Sequence, residues 1–200
     1  MILLGKGLVN MKDINRETKR VFKIFFAWNE KKEQDWLESM SYKGWHLERV
    51  GFMNYLFEKG SPKGYVYRFD FKITFKDDQD DYLAIFEDLG WEFIDRFSSW
   101  YYFRIDPEKQ KGKSLEIYSD NPSLIKKYQR LLIFLLVVTG PMIYFSIPKF
   151  IERSIISYGT SIGILYILLT VFSVIIEGLV IFAIIRFLIK ITRLRRQGKE

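Results

Sequence analysis

Apolar and polar residues alternate strictly from Tyr65 to Phe75. Tyr65, Tyr67, Phe69, Phe71, Ile73 and Phe75 share one side, with Val66, Arg68, Asp70, Lys72 and Thr74 between them. A period of two predicts a strand with one buried face. Phe22, Ile24, Phe26 and Trp28 show the same pattern earlier in the chain. After each such run the period lengthens. Trp36, Leu37 and Met40 stand at helical spacing, as do Tyr82, Leu83, Ile85, Phe86 and Leu89, so each predicted strand is followed by a helix. Asn29 and Asp77 or Asp78 are the expected N-caps.

Both helical runs end in Gly-Trp, at Gly44-Trp45 and at Gly90-Trp91. Superposing the two dipeptides lays Trp36 on Tyr82, Leu37 on Leu83, Met40 on Phe86, Leu47 on Phe93, Tyr55 on Tyr101 and Phe57 on Phe103, all 46 apart. The leading strands match faces at an offset of 47 instead. One extra residue is therefore expected in the first strand-to-helix loop, because a slip inside a strand would turn its core face outward. The chain reads β-α-β-β twice, over 19–60 and 64–105, behind a tail of residues 1–18. Helices segregated to one side of an antiparallel sheet make this an α+β fold, a tandem duplicated β-α-β-β domain. The plan is similar in topology to gyrase-inhibitor-like and SOUL-type folds, and a ferredoxin-like sheet with added strands is the competing arrangement. Gly-Trp itself reads as helix-exit punctuation, with glycine left-handed and tryptophan folded back on Met40 or Phe86.

Residues 106–123 read as a linker with one short strand in LEIYSDN, followed by a helix capped by Asn121 with Pro122 in its first turn. From 124 onward the pattern changes again. Leu131 to Ile147 carries no charge, and Ser161 to Ile176 is equally apolar, continuing after Glu177 to Ile185. About 20 apolar residues cross a bilayer core, so spans are expected at about 130–148 and 161–185, a two-helix transmembrane hairpin. The helix starting near Asn121 should run on into the first span. Gly140-Pro141 predicts a kink there, and Glu177 is the one ionisable group inside a span. Such a carboxyl faces a partner rather than lipid, either a hydroxyl such as Thr139 or a second copy of the chain.

Charge sharpens this picture. The net +7 divides into −1 up to Ser123 and +8 from Leu124 onward. The surplus flanks the spans rather than covering a folded face, which points to a lipid bilayer and away from direct nucleic-acid binding. Lys126, Lys127 and Arg130 precede the first span and Arg186 to Lys199 follow the second, with only Lys149 and Arg153 between. Basic flanks lie on the cytoplasmic side, so both termini are expected inside at the cell membrane. The opening MILLGKGLVN is too short and too broken by glycine to be a signal peptide, and Met11 is an alternative start.

The chemistry available is sparse. The chain has no cysteine and one histidine, His46, so no thiolate nucleophile and no zinc set of the usual kinds can be assembled. No phosphate-binding glycine loop occurs. No cofactor, metal or enzymatic activity is expected. Aromatic residues are 18% of the chain, and SSWYYFR (Ser98 to Arg104) is the densest run. Its two faces, Trp100 and Tyr102 against Tyr101 and Phe103, should be one core and one exposed or cleft-lining. If the chain binds a ligand or partner, the expected residues lie where the two repeats differ, at Met53, Asn54, Trp100 and Tyr102, with His46 nearby.

The run from FFAWNEKKEQDWLESMSYKGWHLERVGFMNYLFEKG through FEDLGWEFIDRFSSWYYFR to EIYSDN, about Phe25 to Tyr128, resembles the bacterial family catalogued as domain of unknown function 2812. The paired spans are similar to that family's architecture. The resemblance implies a Gram-positive source, a gene neighbouring a PadR-type transcriptional repressor, and a regulatory or stress association without catalytic residues. The combined expectation is a membrane-anchored, non-enzymatic sensor or adaptor. It would bind a small apolar ligand or a protein partner such as that repressor, with a homodimer through the spans as a further contact. The competing expectation is an accessory subunit of a membrane transporter or envelope-stress complex.

Overall fold

Both Gly-Trp steps are helix exits. The computed structural model describes residues 17–73, 79–110, 115–118, 120–157 and 159–198. The expected caps Asp77 and Asp78, the strand end at Thr74 and Phe75, and the tail before Glu17 lie outside them. Helix α1 (Glu30–Tyr42) leads to Gly44 at φ 78°, and α2 (Gln79–Asp88) to Gly90 at φ 87°. At the second exit the Trp91 N–H donates to the Phe86 carbonyl at 2.9 Å, the long bond of a Schellman motif. Trp91 is buried in the cluster that holds Phe86, and Trp45 packs on the one that holds Met40.

The two glycines differ in what surrounds them. A Cβ on Gly44 would lie 2.6 Å from the Gly60 backbone oxygen, whereas on Gly90 the obstacle is the amide end of Gln110. A glutamine side chain can swing away and a backbone carbonyl cannot. Gly44→Ala should therefore cost about 2–4 kcal/mol and Gly90→Ala about 1–2 kcal/mol, since both also strain a left-handed backbone. Urea unfolding of the two variants side by side would check this, and equal losses would contradict it.

The chain divides into two units, Met1–Ile117 and Tyr118–Glu200. The first is α+β. Strands β1 (Thr18–Phe22), β2 (Trp45–Gly51) and β3 (Asn54–Lys59) form an antiparallel sheet in the order β1-β3-β2. Strands β4 (Val66–Phe71), β5 (Glu92–Phe97) and β6 (Trp100–Ile105) form another in the order β4-β6-β5. Two separate sheets replace the single one that a ferredoxin-like arrangement requires. Each breaks register at one point, between Leu47 and Arg49 in the first and between Phe93 and Asp95 in the second, 46 residues apart.

The core is not shared equally between the two halves. Leu37 and Met40 of α1 join Leu47, Tyr55 and Phe57 of the first sheet to Tyr67, Phe69 and Tyr102 of the second. Helix α1 thus lies in the angle between the sheets. Helix α2 contributes Tyr82 and Phe86 to a separate cluster with Tyr101 and Phe103, which point away from Tyr102 because successive strand residues face opposite ways. The second sheet is therefore covered on both sides. This corrects the expectation for Ser98 to Arg104: neither set of rings is exposed, and Tyr101, Tyr102 and Phe103 are all buried.

The leading strand needs a larger correction. Its expected core face, Phe22, Ile24 and Phe26, is exposed, and Val21 and Phe25 pack on the core instead. Trp28 stands in a short 3-10 turn and stacks on Phe26 at 4.6 Å. Phe22 pairs with Asn54 as Phe71 pairs with Trp100, so by pairing position the strands are offset by 49, not 47. The surplus in the first half is three residues rather than one. Phe22 and Phe71 therefore occupy the same face of their sheets, but α1 covers that face only in the second.

Among the described residues of LEIYSDN the expected strand is also absent. Leu115 and Ile117 instead pack as irregular chain on the α2 cluster. In the second unit, helix α3 (Asn121–Ile156) is capped by Asp120, whose carboxylate accepts the Ser123 N–H at 3.0 Å, with Pro122 in the first turn. Asn121, the expected cap, instead donates its side-chain amide to the Leu194 carbonyl. α3 runs unbroken from there through Gly140 and Pro141, as expected of a helix continuous with the 131–147 run. Helix α4 (Ser161–Gln197) packs back along it, with Tyr128 stacked on Phe187 at 5.8 Å and Lys190 over the Tyr128 ring. The less exposed positions of α4 include Gly163, Tyr166, Thr170, Ser173, Glu177, Val180, Ile184, Phe187, Ile191 and Leu194. Their alternating spacing of three and four is a heptad seam. Among the described residues, α4 is the one helix long and apolar enough to cross a membrane.

Candidate functional site

The edge strands β2 and β5 lie side by side. His46, Leu47 and Glu48 share a depression with Glu92, Phe93 and Ile94, and the Val50 N–H donates to Asp95 Oδ2 at 2.8 Å. The two strands thus run in the same direction and both hairpin turns fall at the same end. No ladder joins them. Each strand has its register break opposite the other, and the Asp95 side chain takes up a backbone donor that a third strand would otherwise satisfy.

Polar groups converge along this seam. The depression holding His46, Glu48, Glu58 and Arg104 encloses about 170 Å³, and one lined by Tyr65, Glu92, Arg104, Asp106 and Lys109 about 260 Å³. A third, about 450 Å³, opens beside Leu83, Trp91 and Phe93. Glu92 borders all three. Arg104 grips it with two bonds, Nε to Oε2 at 2.8 Å and Nη2 to Oε1 at 2.5 Å, the planar fork that suits a carboxylate. The Arg104 guanidinium lies 4.8 Å over the Tyr65 ring and Lys63 Nζ 4.9 Å from it, while His46 meets the same ring edge-on at 5.2 Å. Lys63 also pairs with Asp106 at 2.6 Å, and that hydrogen bond holds the Asp106 carboxyl below its usual range. These charges are matched in pairs around one ring.

His46 braces this region. Its Nδ1 lies 3.0 Å from Ser41 Oγ and its Nε2 2.9 Å from the Ser61 carbonyl, while the Ser41 hydroxyl donates to the Lys63 carbonyl at 2.6 Å. The end of α1 is thereby tied to the segment that leads into β4. His46→Ala should cost about 1–2 kcal/mol and speed hydrogen exchange at the Lys63 amide, which is bonded to the Ser41 carbonyl. Unchanged exchange there would show that the imidazole carries no load.

The other expected residues do not converge on one surface. Met53 stands in the β2–β3 turn at φ 53° and Asn54 opens β3, where Asn54 Oδ1 is buried with no donor among the described residues. Trp100 packs against Phe71 at 5.3 Å. Tyr102 is an interior residue whose hydroxyl donates to Glu33 Oε1 at 2.9 Å, beside Tyr55, which donates to the same oxygen at 2.7 Å. Burial raises the Glu33 carboxyl and both phenols above their ordinary values, the two hydrogen bonds opposing this at Glu33. Sequence reasoning passed over Glu33. The signal was present, since Glu30, Glu33, Gln34, Leu37, Met40 and Ser41 form one helical stripe that is buried along its whole length.

Glu177 lies on the heptad seam of α4 rather than on its outer side. The pairs Asn121–Leu194 and Tyr128–Phe187 place it level with Val138 of α3, one residue before Thr139. The Thr139 hydroxyl, however, donates within its own helix to the Leu135 carbonyl at 2.6 Å. Among the described residues there is no cluster of histidine, cysteine and carboxylate able to hold a metal.

Comparison with known proteins matches residues 29–139 to the family described as a protein of unknown function, DUF2812. The match runs from the cap of α1 into the middle of α3 and so takes in both Gly-Trp exits and the seam. No curated protein and no solved structure matches the chain.

Proposed function

The chain belongs to the DUF2812 family, and on that premise we propose that it is a membrane-anchored, non-enzymatic sensor or adaptor. In this reading its α+β unit is cytoplasmic and holds a regulatory protein, with a PadR-type repressor as the first candidate, or a small apolar ligand. The observation that carries the reading is the joining of a folded unit, with a seam of matched charges and rings, to a helix long enough and apolar enough to cross a bilayer. A protein partner suits that seam better than an apolar ligand, because its walls carry Glu92, Arg104, Asp106 and Lys109.

The same reading treats α3 as the first of two spans, packed on α4, with both termini on the cytoplasmic side by the asymmetry of basic flanks. It also treats the two halves of the α+β unit as a tandem duplication, supported by the matching strand orders, register breaks and left-handed glycines. Glu177 supports the competing reading, an accessory subunit of a membrane transporter or envelope-stress complex, since a carboxyl on a helix seam suits contact between spans.

Exchanging both spans for unrelated ones separates the two. Partner capture from native membranes should survive the exchange if the cytoplasmic unit does the binding. Loss of capture by the exchanged chain, together with loss by Glu177→Gln, would favour the transporter subunit and overturn the adaptor.

A further inference from the structure

Helices α3 and α4 bring their cations to one end of the pair. The Asn121 amide meets the Leu194 carbonyl and Tyr128 stacks on Phe187, which sets Ile125 level with Lys190 and Gln129 level with Arg186. Lys126, Lys127 and Arg130 of α3 therefore occupy the same stretch as Arg186 and Lys190 of α4. From Asn121 to Ile151 and from Gly178 to Gln197 the chain carries no carboxylate. The nearest acids along the chain are engaged: Asp120 caps α3 through the Ser123 N–H, and Arg68 holds Glu116 by two bonds. The cations of α4 begin where its apolar run ends at Ile185, the headgroup level of a helix that crosses a bilayer.

Basic residues flanking a span ordinarily reach outward into water. Three of these do not. Lys127 is 1% exposed, and Arg130 and Lys190 are half-buried. All three turn onto two tyrosine rings. Lys127 Nζ lies 5.6 Å from the Tyr118 ring and 6.0 Å from the Tyr128 ring. Lys190 Nζ lies 4.4 Å over Tyr128 from the opposite helix, and Arg130 Nη2 donates to the Tyr118 hydroxyl at 3.3 Å. The ring faces hold the cations in place but bring no net charge. Three positive groups drawn together between two helices repel one another, and an anion with several oxygens offsets that repulsion while accepting their hydrogen bonds.

We propose that Lys127, Arg130 and Lys190, with Tyr118 and Tyr128, form a site for the phosphate headgroup of an anionic phospholipid at the base of the α3–α4 pair. The proposal rests on the membrane-anchored reading, which puts this end of the pair among headgroups, and it adds a lipid that the chain selects. Arg130 and Lys190, the half-buried members, supply the donors that reach the phosphate oxygens. Lys127 fixes positive charge beneath them. Phe182, Ile185 and Ile189, exposed on the same turns of α4, suit the acyl chains that a free phosphate lacks.

The full-length chain in a neutral detergent would be given equimolar phosphatidylglycerol and phosphatidylcholine of the same acyl chains, and the lipids it retains counted by native mass spectrometry. Phosphatidylglycerol should be retained over phosphatidylcholine by about tenfold or more, each cation contributing about fivefold. Arg130→Gln with Lys190→Gln should bring that ratio to about one. Arg195→Gln with Arg196→Gln, which removes the same charge from the exposed end of α4, should leave it unchanged. If the first pair unfolds the chain, Lys190→Gln alone should lower the ratio about fivefold. Equal retention of the two lipids by the parent would overturn the proposal. So would an equal fall in both double variants, which would make the attraction diffuse. Inorganic phosphate that displaces phosphatidylglycerol at equal concentration would make free phosphate the ligand and overturn the lipid assignment. Selective retention by a chain that alkaline carbonate strips from its membranes would refute the anchor and leave the site standing.

Discussion

Replacing Tyr55 and Tyr102 together by phenylalanine is expected to destabilise the α+β unit by about 2–4 kcal/mol at neutral pH, since each removes a hydrogen bond to a buried carboxyl. Both hydroxyls donate to the same oxygen of Glu33. The loss should be recovered in large part by adding Glu33→Met, which takes away the group left unsatisfied; an apolar trio of similar volume has nothing to desolvate. Urea unfolding of the parent and the two variants measures both quantities. A double variant within about 0.5 kcal/mol of the parent would show that Glu33 finds other donors.

The acid also sets a direction with pH. Burial raises the Glu33 pKa in the folded chain above 4.5, so the fold binds that proton more tightly than the unfolded chain does. Its contribution is fully present below 4.5 and is lost as pH rises through the folded value, after which it is flat. Asp106 and Asp120, held low by Lys63 and by the helix start, act in the opposite sense at lower pH. The informative quantity is therefore the difference between the parent and Glu33→Gln. The variant should gain on the parent as pH rises above 4.5, and a constant difference would contradict the assignment.

Phe103→Ala carries the other large effect, about 3–5 kcal/mol. Phe103 is fully buried, stacked on Phe86 at 4.2 Å and flanked by Phe93 at 5.9 Å and Tyr82 at 6.5 Å. These three neighbours are rings held by their own neighbours, so the space left behind cannot close cheaply. A measured loss under about 1.5 kcal/mol would mean that the cluster collapses around the truncation. Fluorescence-detected unfolding gives the value, and Phe103→Leu should recover part of it.

What the sequence revealed depended on how locally each feature is determined. The helix exits at Gly44 and Gly90 were legible because a left-handed glycine and the ring after it are set by a few adjacent residues. The β-α-β-β order and the helix through Asn121 were legible for the same reason, down to a cap displaced by one residue to Asp120. Which faces are covered was not legible. Phe22 and Phe71 look alike in pattern, and only the position of α1 between the sheets buries one and leaves the other bare. Leu115 and Ile117 alternate like a strand but find no edge to pair with. Of the candidate contact residues, His46 reached the seam and Tyr102 went to the interior, while Arg104, Glu92 and Tyr65 were missed. These three carry no motif and meet only through the side-by-side approach of β2 and β5.

Because α1 serves both sheets while α2 serves one, neither half of the α+β unit is a complete body. A fragment beginning at Gly64 would leave Tyr67, Phe69 and Tyr102 without the helix that covers them, and a fragment ending at Gly60 would leave Leu37 and Met40 without the second wall of their cluster. Cleaving the connection between the two should therefore give fragments that are soluble only as a complementing pair, each acting as the chaperone of the other.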